Sequence, residues 1–212
     1  MHPIFEKMGA YGIVPVVVIN DENDALPLAK ALCDGNLACA EVTFRTKAAP
    51  EAIRMMTQAY PDMLVGAGTV LTTAQVDEAI AAGAKFIVSP GLNPEVVKYC
   101  QKQDIPVCPG IVTPTEIELA LSLGLDFVKF FPAEPSGGLS MIKAIAAPYT
   151  MLKFMPTGGI SPDNVREYLK YDRILACGGS WMVKDALINS GDFEKITALT
   201  KEAANIVKEI RG

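Results

Sequence analysis

Short apolar runs recur along the whole chain, and polar segments with helical periodicity separate them. The runs begin roughly 20 to 26 residues apart, a distance that accommodates one strand, one helix and two short loops. Eight strands are predicted, at 13–19, 38–44, 64–69, 85–89, 105–109, 126–131, 152–157 and 173–178. Helices are predicted between and after them, at 24–35, 48–59, 73–82, 93–103, 114–123, 138–146, 162–170 and 192–210.

Eight strand-then-helix units without a break in composition predict an α/β fold, a single (β/α)₈ TIM barrel that spans residues 1–212 as one domain. Residues 1–12 are predicted to form a short N-terminal helix that caps the barrel floor. A doubly wound open sheet is the alternative, but its first strand is usually followed by a glycine-rich fingerprint. Here residues 20–24 read Asn-Asp-Glu-Asn-Asp, which contains no glycine.

Composition limits which binding partners and which cellular location are expected for this chain. Half of the 212 residues are hydrophobic, and the net charge is −5 with no basic block, which argues against nucleic acid or an anionic membrane as partner. No apolar run is long enough for a transmembrane helix, and the first residues lack the order of a signal peptide. The five cysteines are scattered, which favours free thiols in a reducing cytoplasm over disulfides or a zinc cluster.

The only histidine of the chain is His2, near the N-terminus. Histidine-rich metal sites and Ser-His or Cys-His nucleophile pairs therefore cannot be assembled. Acid–base chemistry falls instead to a carboxylate, a lysine, a tyrosine or a water. The sequence predicts neither a metal ion nor a cofactor.

A lysine interrupts the sixth apolar run, which reads Asp-Phe-Val-Lys-Phe-Phe-Pro-Ala at residues 126–133. A strand buried on both faces is nearly continuous in hydrophobic residues, and an ammonium buried there without a partner is costly. A buried lysine amine can, however, attack a carbonyl group. The alternative is that Lys129 lies near the strand end and reaches solvent along its apolar stem.

Alternate side chains of a barrel strand point inward, and the carboxyl ends of the strands build the active site in this fold. In the second strand, the apolar side chains of Val42 and Phe44 suit the layer that faces the helices. The side chains that alternate with these two are therefore predicted to point inward, namely Glu41, Thr43 and Arg45.

The same reasoning on the sixth strand directs Phe127, Lys129 and Phe131 inward. A carboxylate and an amine would then lie in the upper half of one interior. Glu41 and Lys129 could instead form a structural ion pair, although barrel interiors are normally filled with branched apolar residues. Lys153 lies at the opposite end of its strand, toward the floor, and is predicted to be structural.

Glycine-rich turns follow the last two predicted strands, at 157–160 (Thr-Gly-Gly-Ile) and 178–181 (Gly-Gly-Ser-Trp). Glycine lets backbone N–H groups approach an anion closely, and phosphate often binds after strands seven and eight of this fold. Tight turns alone would also use glycine, but two such turns at these strand ends favour a phosphate pocket, predicted to be free of carboxylates. Small residues at 66–69 (Gly-Ala-Gly-Thr) and 89–91 (Ser-Pro-Gly) leave room near the amine.

Six segments in combination closely resemble the KDPG/KHG aldolase family, the class I aldolases for 2-dehydro-3-deoxy-6-phosphogluconate (KDPG) and 4-hydroxy-2-oxoglutarate (KHG). They are 41–46 (Glu-Val-Thr-Phe-Arg-Thr), 66–70 (Gly-Ala-Gly-Thr-Val), 89–91 (Ser-Pro-Gly), 129–134 (Lys-Phe-Phe-Pro-Ala-Glu), 157–160 (Thr-Gly-Gly-Ile) and 178–181 (Gly-Gly-Ser-Trp). The likeness covers all eight units in order. It implies a trimeric, cytoplasmic lyase of the Entner–Doudoroff route of carbohydrate metabolism, whose partners are small keto-acids. KDPG would be cleaved to pyruvate and D-glyceraldehyde 3-phosphate, with cleavage of KHG to pyruvate and glyoxylate as a second activity.

The resemblance also implies roles for single residues. Lys129 looks like the Schiff-base lysine and Glu41 like the proton shuttle. The other residues look like substrate ligands: Arg45 and Thr69 near the pyruvate carboxylate, Pro90 and Phe131 lining that region, and Gly158, Gly159, Gly179 and Ser180 around the phosphate.

Two other functions account for parts of the pattern. A phosphosugar isomerase or synthase on a similar barrel would explain the glycine turns, but it would not explain an inward lysine beside an inward glutamate. A non-enzymatic sugar-phosphate-binding module would leave both residues as structural ions. Such a module needs no reactive amine, so trapping with pyruvate and borohydride separates it from an aldolase.

Overall fold

Strands and helices alternate along the whole chain in the computed structural model, which describes residues 1–212. The strands are β1 (Ile13–Val17), β2 (Cys39–Thr43), β3 (Leu64–Gly68), β4 (Ile87–Ser89), β5 (Val107–Ile111), β6 (Phe127–Phe130), β7 (Lys153–Pro156) and β8 (Cys177–Gly179). The helices are α1 (Pro3–Tyr11), α2 (Ala25–Asp34), α3 (Ala49–Ala59), α4 (Thr73–Ala81), α5 (Pro94–Lys102), α6 (Pro114–Ser122), α7 (Gly138–Ala146), α8 (Val165–Leu169), α9 (Asp185–Asn189) and α10 (Phe193–Arg211). Two 3₁₀ turns cover Glu22–Asp24 and Glu134–Ser136.

All strand pairs are parallel, and the sheet has the order β7-β6-β5-β4-β3-β2-β1-β8. Two isolated parallel bridges, Phe154 with Ile174 and Thr157 with Gly178, connect β7 to the β8 segment. The sheet therefore closes on itself with its helices outside, and the prediction of a (β/α)₈ barrel is confirmed. No helix is both long and apolar enough to cross a membrane.

Cap residues explain why several helices begin where the sequence predicts them. At the start of α6 the Thr113 hydroxyl accepts a hydrogen bond from the Glu116 N–H, and the Glu116 carboxylate accepts one from the Thr113 N–H. At the start of α5 the Asn93 side chain accepts from the Glu95 N–H, and Pro94 occupies the first helical position. These contacts satisfy N–H groups that have no partner within the helix.

The end of the barrel differs from the sequence prediction. β8 covers Cys177–Gly179, whereas 173–178 is predicted. The Arg173 carbonyl accepts from the Phe154 N–H at 2.8 Å and its guanidinium donates to the Leu152 carbonyl, so Arg173 is bound to the amino-terminal end of β7 before β8 begins. The sequence does not predict α9 (Asp185–Asn189), because five residues are too few to show a helical period.

Inward-facing side chains fill the lower half of the barrel with an apolar cluster. Phe5 and Met8 of α1 belong to it, and the Phe5 ring lies 4.8 Å from the Phe127 ring, centroid to centroid. The predicted floor helix is thereby confirmed, and the lower half of the barrel interior is filled with side chains. The cluster consists of Phe5, Met8, Val14, Cys39, Leu64, Phe86, Val88, Cys108, Phe127, Met155 and Ala176.

Candidate active site

Lys129 and Glu41 meet inside the barrel, as the strand parity predicts. The Lys129 Nζ atom lies 3.1 Å from Oε1 and 3.5 Å from Oε2 of Glu41. Lys129 is 5% exposed and Glu41 is 1% exposed, so the alternative of a lysine that reaches solvent is wrong. Neither residue is near the other in sequence, and only closure of the barrel brings β2 and β6 across from each other.

Glycines lie beside these two residues, and one of them makes room for Glu41. In the parallel register Glu41 lies opposite Gly66, and Lys129 lies opposite Gly110. A Cβ atom on Gly68 would overlap the carboxylate group of Glu41, and one on Gly110 would overlap the Pro90 carbonyl. The small residues at the ends of β3 and β5 therefore leave space that a branched side chain would fill in an ordinary barrel.

The surroundings of the pair are apolar. Phe127 lies two residues below Lys129 on the same strand, and the Phe131 ring centroid lies 5.2 Å from the Lys129 Nζ. Cys108 belongs to the cluster beneath them, and burial raises the pKa of its thiol well above the ordinary value, so the thiol stays neutral. Lys129 and Glu41 thus form a buried ion pair in a largely apolar setting, where separating them would be costly.

Thr43, which the sequence also directs inward, is buried, and its hydroxyl donates to the Val17 carbonyl at 2.9 Å. This hydrogen bond connects β2 to β1, so Thr43 has a structural role. Lys153 behaves as predicted for a structural lysine, since its Nζ donates to the Asp172 carbonyl at 2.6 Å. The single histidine is structural as well, because His2 accepts from the Ile4 N–H and caps α1.

A cavity of about 360 Å³ opens above the pair, at the carboxyl ends of the strands. The predicted ligands Arg45 and Phe131 reach it from β2 and β6. Arg45 forms no salt bridge and donates no hydrogen bond within the chain, so its guanidinium is available to an anion. Four further predicted residues line the same cavity, namely Gly158, Gly159, Gly179 and Ser180.

Thr69 and Pro90 are at the same end of the barrel, but neither lines this cavity. Both are half-buried and follow β3 and β4 directly. Thr69 has a φ of 58°, which is unusual for a β-branched residue and marks a sharp turn at the end of β3. The structure therefore places them beside the predicted site rather than on the cavity wall.

Sequence reasoning missed two polar side chains of the cavity wall, those of Thr157 and Asp185. Thr157 is a buried residue of this wall, and its Oγ1 atom has no hydrogen-bond partner within the chain. The parity argument applied to β7 would have found it, because Thr157 has the inward parity of Met155. Asp185 also lines the cavity, so the prediction of a carboxylate-free pocket is wrong. Its position depends on the unpredicted helix α9, of which it is the first residue.

The glycine turn after β7 supplies free donors. Gly158 and Gly159 have φ values of 99° and 81°, in the region that other residues rarely adopt. The N–H groups of Gly159 and Ser180 donate no hydrogen bond within the chain. Backbone donors in such turns are suited to the oxygens of a phosphate group.

No group of three or more His, Cys, Asp and Glu side chains is arranged so that it could hold a metal ion. All five cysteines are free thiols, as the sequence predicts. The chemical groups gathered at the carboxyl end of the barrel are therefore an amine, a carboxylate, a guanidinium, hydroxyls and backbone N–H groups.

Comparison with known proteins agrees with this arrangement. Residues 4–199 match the family model described as KDPG and KHG aldolase. The chain is 51% identical to the 2-dehydro-3-deoxy-phosphogluconate aldolase of Treponema pallidum, over 98% of this chain and 99% of that protein. It is 44% identical to the KHG/KDPG aldolase of Escherichia coli K12, over 92% of both.

Among solved structures, the chain superimposes on the KDPG aldolase of Legionella pneumophila with a TM-score of 0.91 and 40% sequence identity, covering 96% of this chain and 98% of that one. That crystal structure contains pyruvate captured at low pH as a covalent carbinolamine intermediate. A family model that spans nearly the whole chain, and relatives that match it from end to end, lead to one assignment. The chain belongs to the KDPG/KHG aldolase family.

Proposed function

We propose that the protein is a class I aldolase, a carbon–carbon lyase that cleaves KDPG to pyruvate and D-glyceraldehyde 3-phosphate. The observation that carries this proposal is the buried contact of 3.1 Å between Lys129 and Glu41, below a cavity lined by free donors. A binding module has no use for an isolated amine–carboxylate pair in a barrel interior. An isomerase or synthase that binds phosphate at the same strand ends would not need this amine either.

Lys129 is the proposed nucleophile. Its neutral amine attacks the C2 carbonyl of the keto-acid to give a carbinolamine, which loses water to form an iminium ion. The electrons of the C3–C4 bond then move toward the iminium nitrogen, and the bond breaks. The products of this step are the aldehyde and an enamine of pyruvate that remains attached to Lys129.

Glu41 is the proposed acid–base group. Its carboxylate is within hydrogen-bond distance of the Lys129 Nζ, so it can take the proton that the amine must lose before attack. The C4 hydroxyl must also lose a proton as the C3–C4 bond breaks, and the enamine must later gain one at C3. With no histidine in the barrel, Glu41 can serve both transfers directly or through a water.

Arg45 is the proposed partner of the substrate carboxylate. Its guanidinium offers a planar set of donors that matches a carboxylate, and no other anion of the chain occupies it. Phe131 connects this region to the nucleophile, because its ring lines the cavity and lies near the Lys129 Nζ. Thr69 and Pro90 are proposed to shape the adjoining strand ends around the pyruvate half of the substrate.

Gly158, Gly159, Gly179 and Ser180 are proposed to bind the phosphate. The free N–H groups of Gly159 and Ser180 supply donors, and the turn after β8 lies beside the turn after β7. Phosphate contacts of this kind contribute binding energy away from the reacting bond, which can be used to position C4. KHG lacks a phosphate but carries a second carboxylate, so its cleavage to pyruvate and glyoxylate is proposed as the secondary activity.

Product analysis tests the proposal directly. The protein is incubated with KDPG, and pyruvate and glyceraldehyde 3-phosphate are quantified over time, with KHG in a parallel reaction. We expect the two KDPG products in equal amounts and a lower kcat/KM for KHG. Formation of a ketose or aldose isomer without pyruvate would instead support an isomerase.

A negative charge in the phosphate pocket should separate the two halves of the substrate. Ser180→Asp puts a carboxylate beside the proposed phosphate position, and we expect kcat/KM for KDPG to fall at least about 10-fold because of like-charge repulsion. Capture of pyruvate at Lys129 should be nearly unchanged. Ser180 is exposed and its side chain has no partner, whereas a side chain on Gly179 would overlap the Trp181 ring.

Ser180→Asn is the matched control, since it has the size of aspartate without the charge. Kinetics on the phosphorylated keto-acid and on its unphosphorylated counterpart distinguish the outcomes. Equal losses on both substrates, or equal losses in the Asp and Asn variants, would mean that the phosphate binds elsewhere.

Chelation should not affect turnover. A Schiff-base mechanism uses the iminium ion as its electron sink, so we expect full activity after incubation with EDTA and removal of the chelator by dialysis. The measurement is the initial rate of pyruvate release before and after treatment. Loss of activity that a divalent metal restores would contradict the mechanism proposed for Lys129.

We further propose that residues 1–212 form one folding unit that assembles into a homotrimer in the cytoplasm, and that its partners are small keto-acids rather than nucleic acid or membrane. The family resemblance supports the trimer, and the net charge of −5 supports the absence of polyanionic partners. Light scattering on the purified protein measures the mass of the assembly.

A further inference from the structure

The glycine turn at 157–160 depends on neighbouring segments for its conformation. It contains two successive glycines with positive φ, and these have no side chains that could fix the backbone. The direction of the Gly159 N–H is set by the backbone alone. Any proposed contact between this N–H and an anion therefore depends on what packs behind the turn.

Three consecutive carbonyl groups of the turn are bonded to neighbouring segments. Two of the donors are backbone N–H groups of the segment after β6, and the third is a side chain from the start of α8. The bonds are Ala133 N–H to Thr157 O at 2.8 Å, Glu134 N–H to Gly158 O at 3.0 Å, and Asn164 Nδ2 to Gly159 O at 2.9 Å.

Glu134 also supports the turn with its side chain. A Cβ atom placed on Gly159 would lie 2.6 Å from both Cβ and Cγ of Glu134, so the stem of Glu134 packs directly against the Gly159 backbone. Glu134 does not line the cavity, and it stands behind the turn rather than in the site. Its position thus determines where Gly159 can lie.

The carboxylate of Glu134 is held in turn by Tyr168. The hydroxyl of Tyr168, a residue of α8, donates a hydrogen bond to Glu134 Oε1, and Tyr168 is 2% exposed. Burial, followed by the bond to Glu134, raises the pKa of Tyr168 above its ordinary value, so the hydroxyl keeps the proton it donates. Gly138 permits the contact, because a Cβ atom there would lie 2.9 Å from the carboxylate and 3.0 Å from the hydroxyl.

We infer that Glu134 and Tyr168 form a brace that positions the glycine turn for the phosphate of the substrate, so that both act as positioning residues in specificity. The brace connects the turn after β7 to α8 and to the segment that follows β6, the strand that contains Lys129. The inference rests on the proposed function, since the turn matters to catalysis through the phosphate.

Tyr168→Phe tests the brace because it removes only the hydroxyl. We expect KM for KDPG to rise about fivefold or more, since Glu134 loses its donor and the turn loses its support. For the unphosphorylated keto-acid, kcat/KM should change less than about twofold, and pyruvate trapping should be unchanged. Tyr171→Phe is the matched control, because Tyr171 lies near the same helix but contacts Lys143 instead of the turn.

Variants of Glu134 separate geometry from charge. Glu134→Gln keeps the packing stem and an oxygen that can accept from Tyr168, so KM for KDPG should stay near that of the unmodified protein. Glu134→Ala removes both, and it should raise KM for KDPG as Tyr168→Phe does. The double variant Tyr168→Phe with Glu134→Gln should recover part of the loss, since the unpaired carboxylate is gone. A KM for KDPG unchanged in Tyr168→Phe and in Glu134→Ala, or equal losses on both substrates, would overturn the brace. If the unmodified protein itself did not prefer the phosphorylated substrate, the proposed phosphate pocket would be contradicted, and the inferred role of the brace would be contradicted with it.

Discussion

Lys129→Ala is expected to abolish both the covalent capture of pyruvate and the cleavage of KDPG. Loss of a covalent nucleophile typically removes a factor of about 10⁴ or more in rate, and no other amine lies in the barrel interior to replace it. Intact mass after incubation with pyruvate and borohydride should increase in the unmodified protein and stay constant in the variant. Peptide mapping should place the added group on a peptide that contains Lys129.

Two other lysines serve as controls. Lys153 is engaged with the Asp172 carbonyl near the barrel floor, and Lys143 lies over the Tyr171 ring outside the barrel. Replacing either with alanine should leave trapping and turnover essentially unchanged. A label found on Lys153 or Lys143, or trapping that persists in Lys129→Ala, would contradict the assignment of the nucleophile.

Stability must be measured alongside, because Lys129→Ala leaves the buried carboxylate of Glu41 without its partner. Removing one member of a buried ion pair typically costs about 3–5 kcal/mol in the free energy of unfolding. The double variant Lys129→Ala with Glu41→Ala should recover part of this loss. Its activity should stay absent, which separates the chemical role of Lys129 from its contribution to the fold.

Glu41→Gln is expected to lower kcat for KDPG cleavage by about 10²–10⁴-fold while pyruvate still binds. The amide keeps an oxygen near the Lys129 Nζ but cannot accept and return a proton. Exchange of the pyruvate methyl protons with deuterated solvent, followed by NMR, measures proton transfer to and from the enamine without cleavage. We expect this exchange to slow by a factor similar to that in kcat.

The competing interpretation of Glu41 is a structural ion pair with Lys129. In that case Glu41→Gln would lower the melting temperature but leave methyl exchange and turnover near their normal rates. Exchange that remains fast in a folded variant would transfer the acid–base role to another group, and a water beside Thr69 would be the next candidate.

How far the sequence predicts this site depends on how far each residue's position follows from strand parity. Glu41 and Lys129 lie in strands whose alternation is clear, so parity directs both inward, and closure of the barrel brings them together. Arg45, Phe131 and the two glycine turns follow from the same rule, since the carboxyl ends of barrel strands share one face.

The predictions that failed concern short segments whose geometry is set by tertiary contacts. Asp185 reaches the cavity through α9, a helix of five residues without a readable period. The sharp turn at Thr69 is likewise not predicted, because its positive φ is unusual for a β-branched residue. The start of β8 shifts because Arg173 binds to the amino-terminal end of β7, a tertiary contact that no local pattern encodes.

The apolar floor of the barrel imposes an order on the reaction. Phe5, Met8 and Phe127 close the lower half, so reactants and products share one opening at the top. Lys129 lies deeper than the glycine turns, so the proposed mechanism places the pyruvate fragment on the inside and the phosphorylated aldehyde on the outside. We therefore expect the aldehyde to depart before pyruvate, and pyruvate to bind first in the synthetic direction.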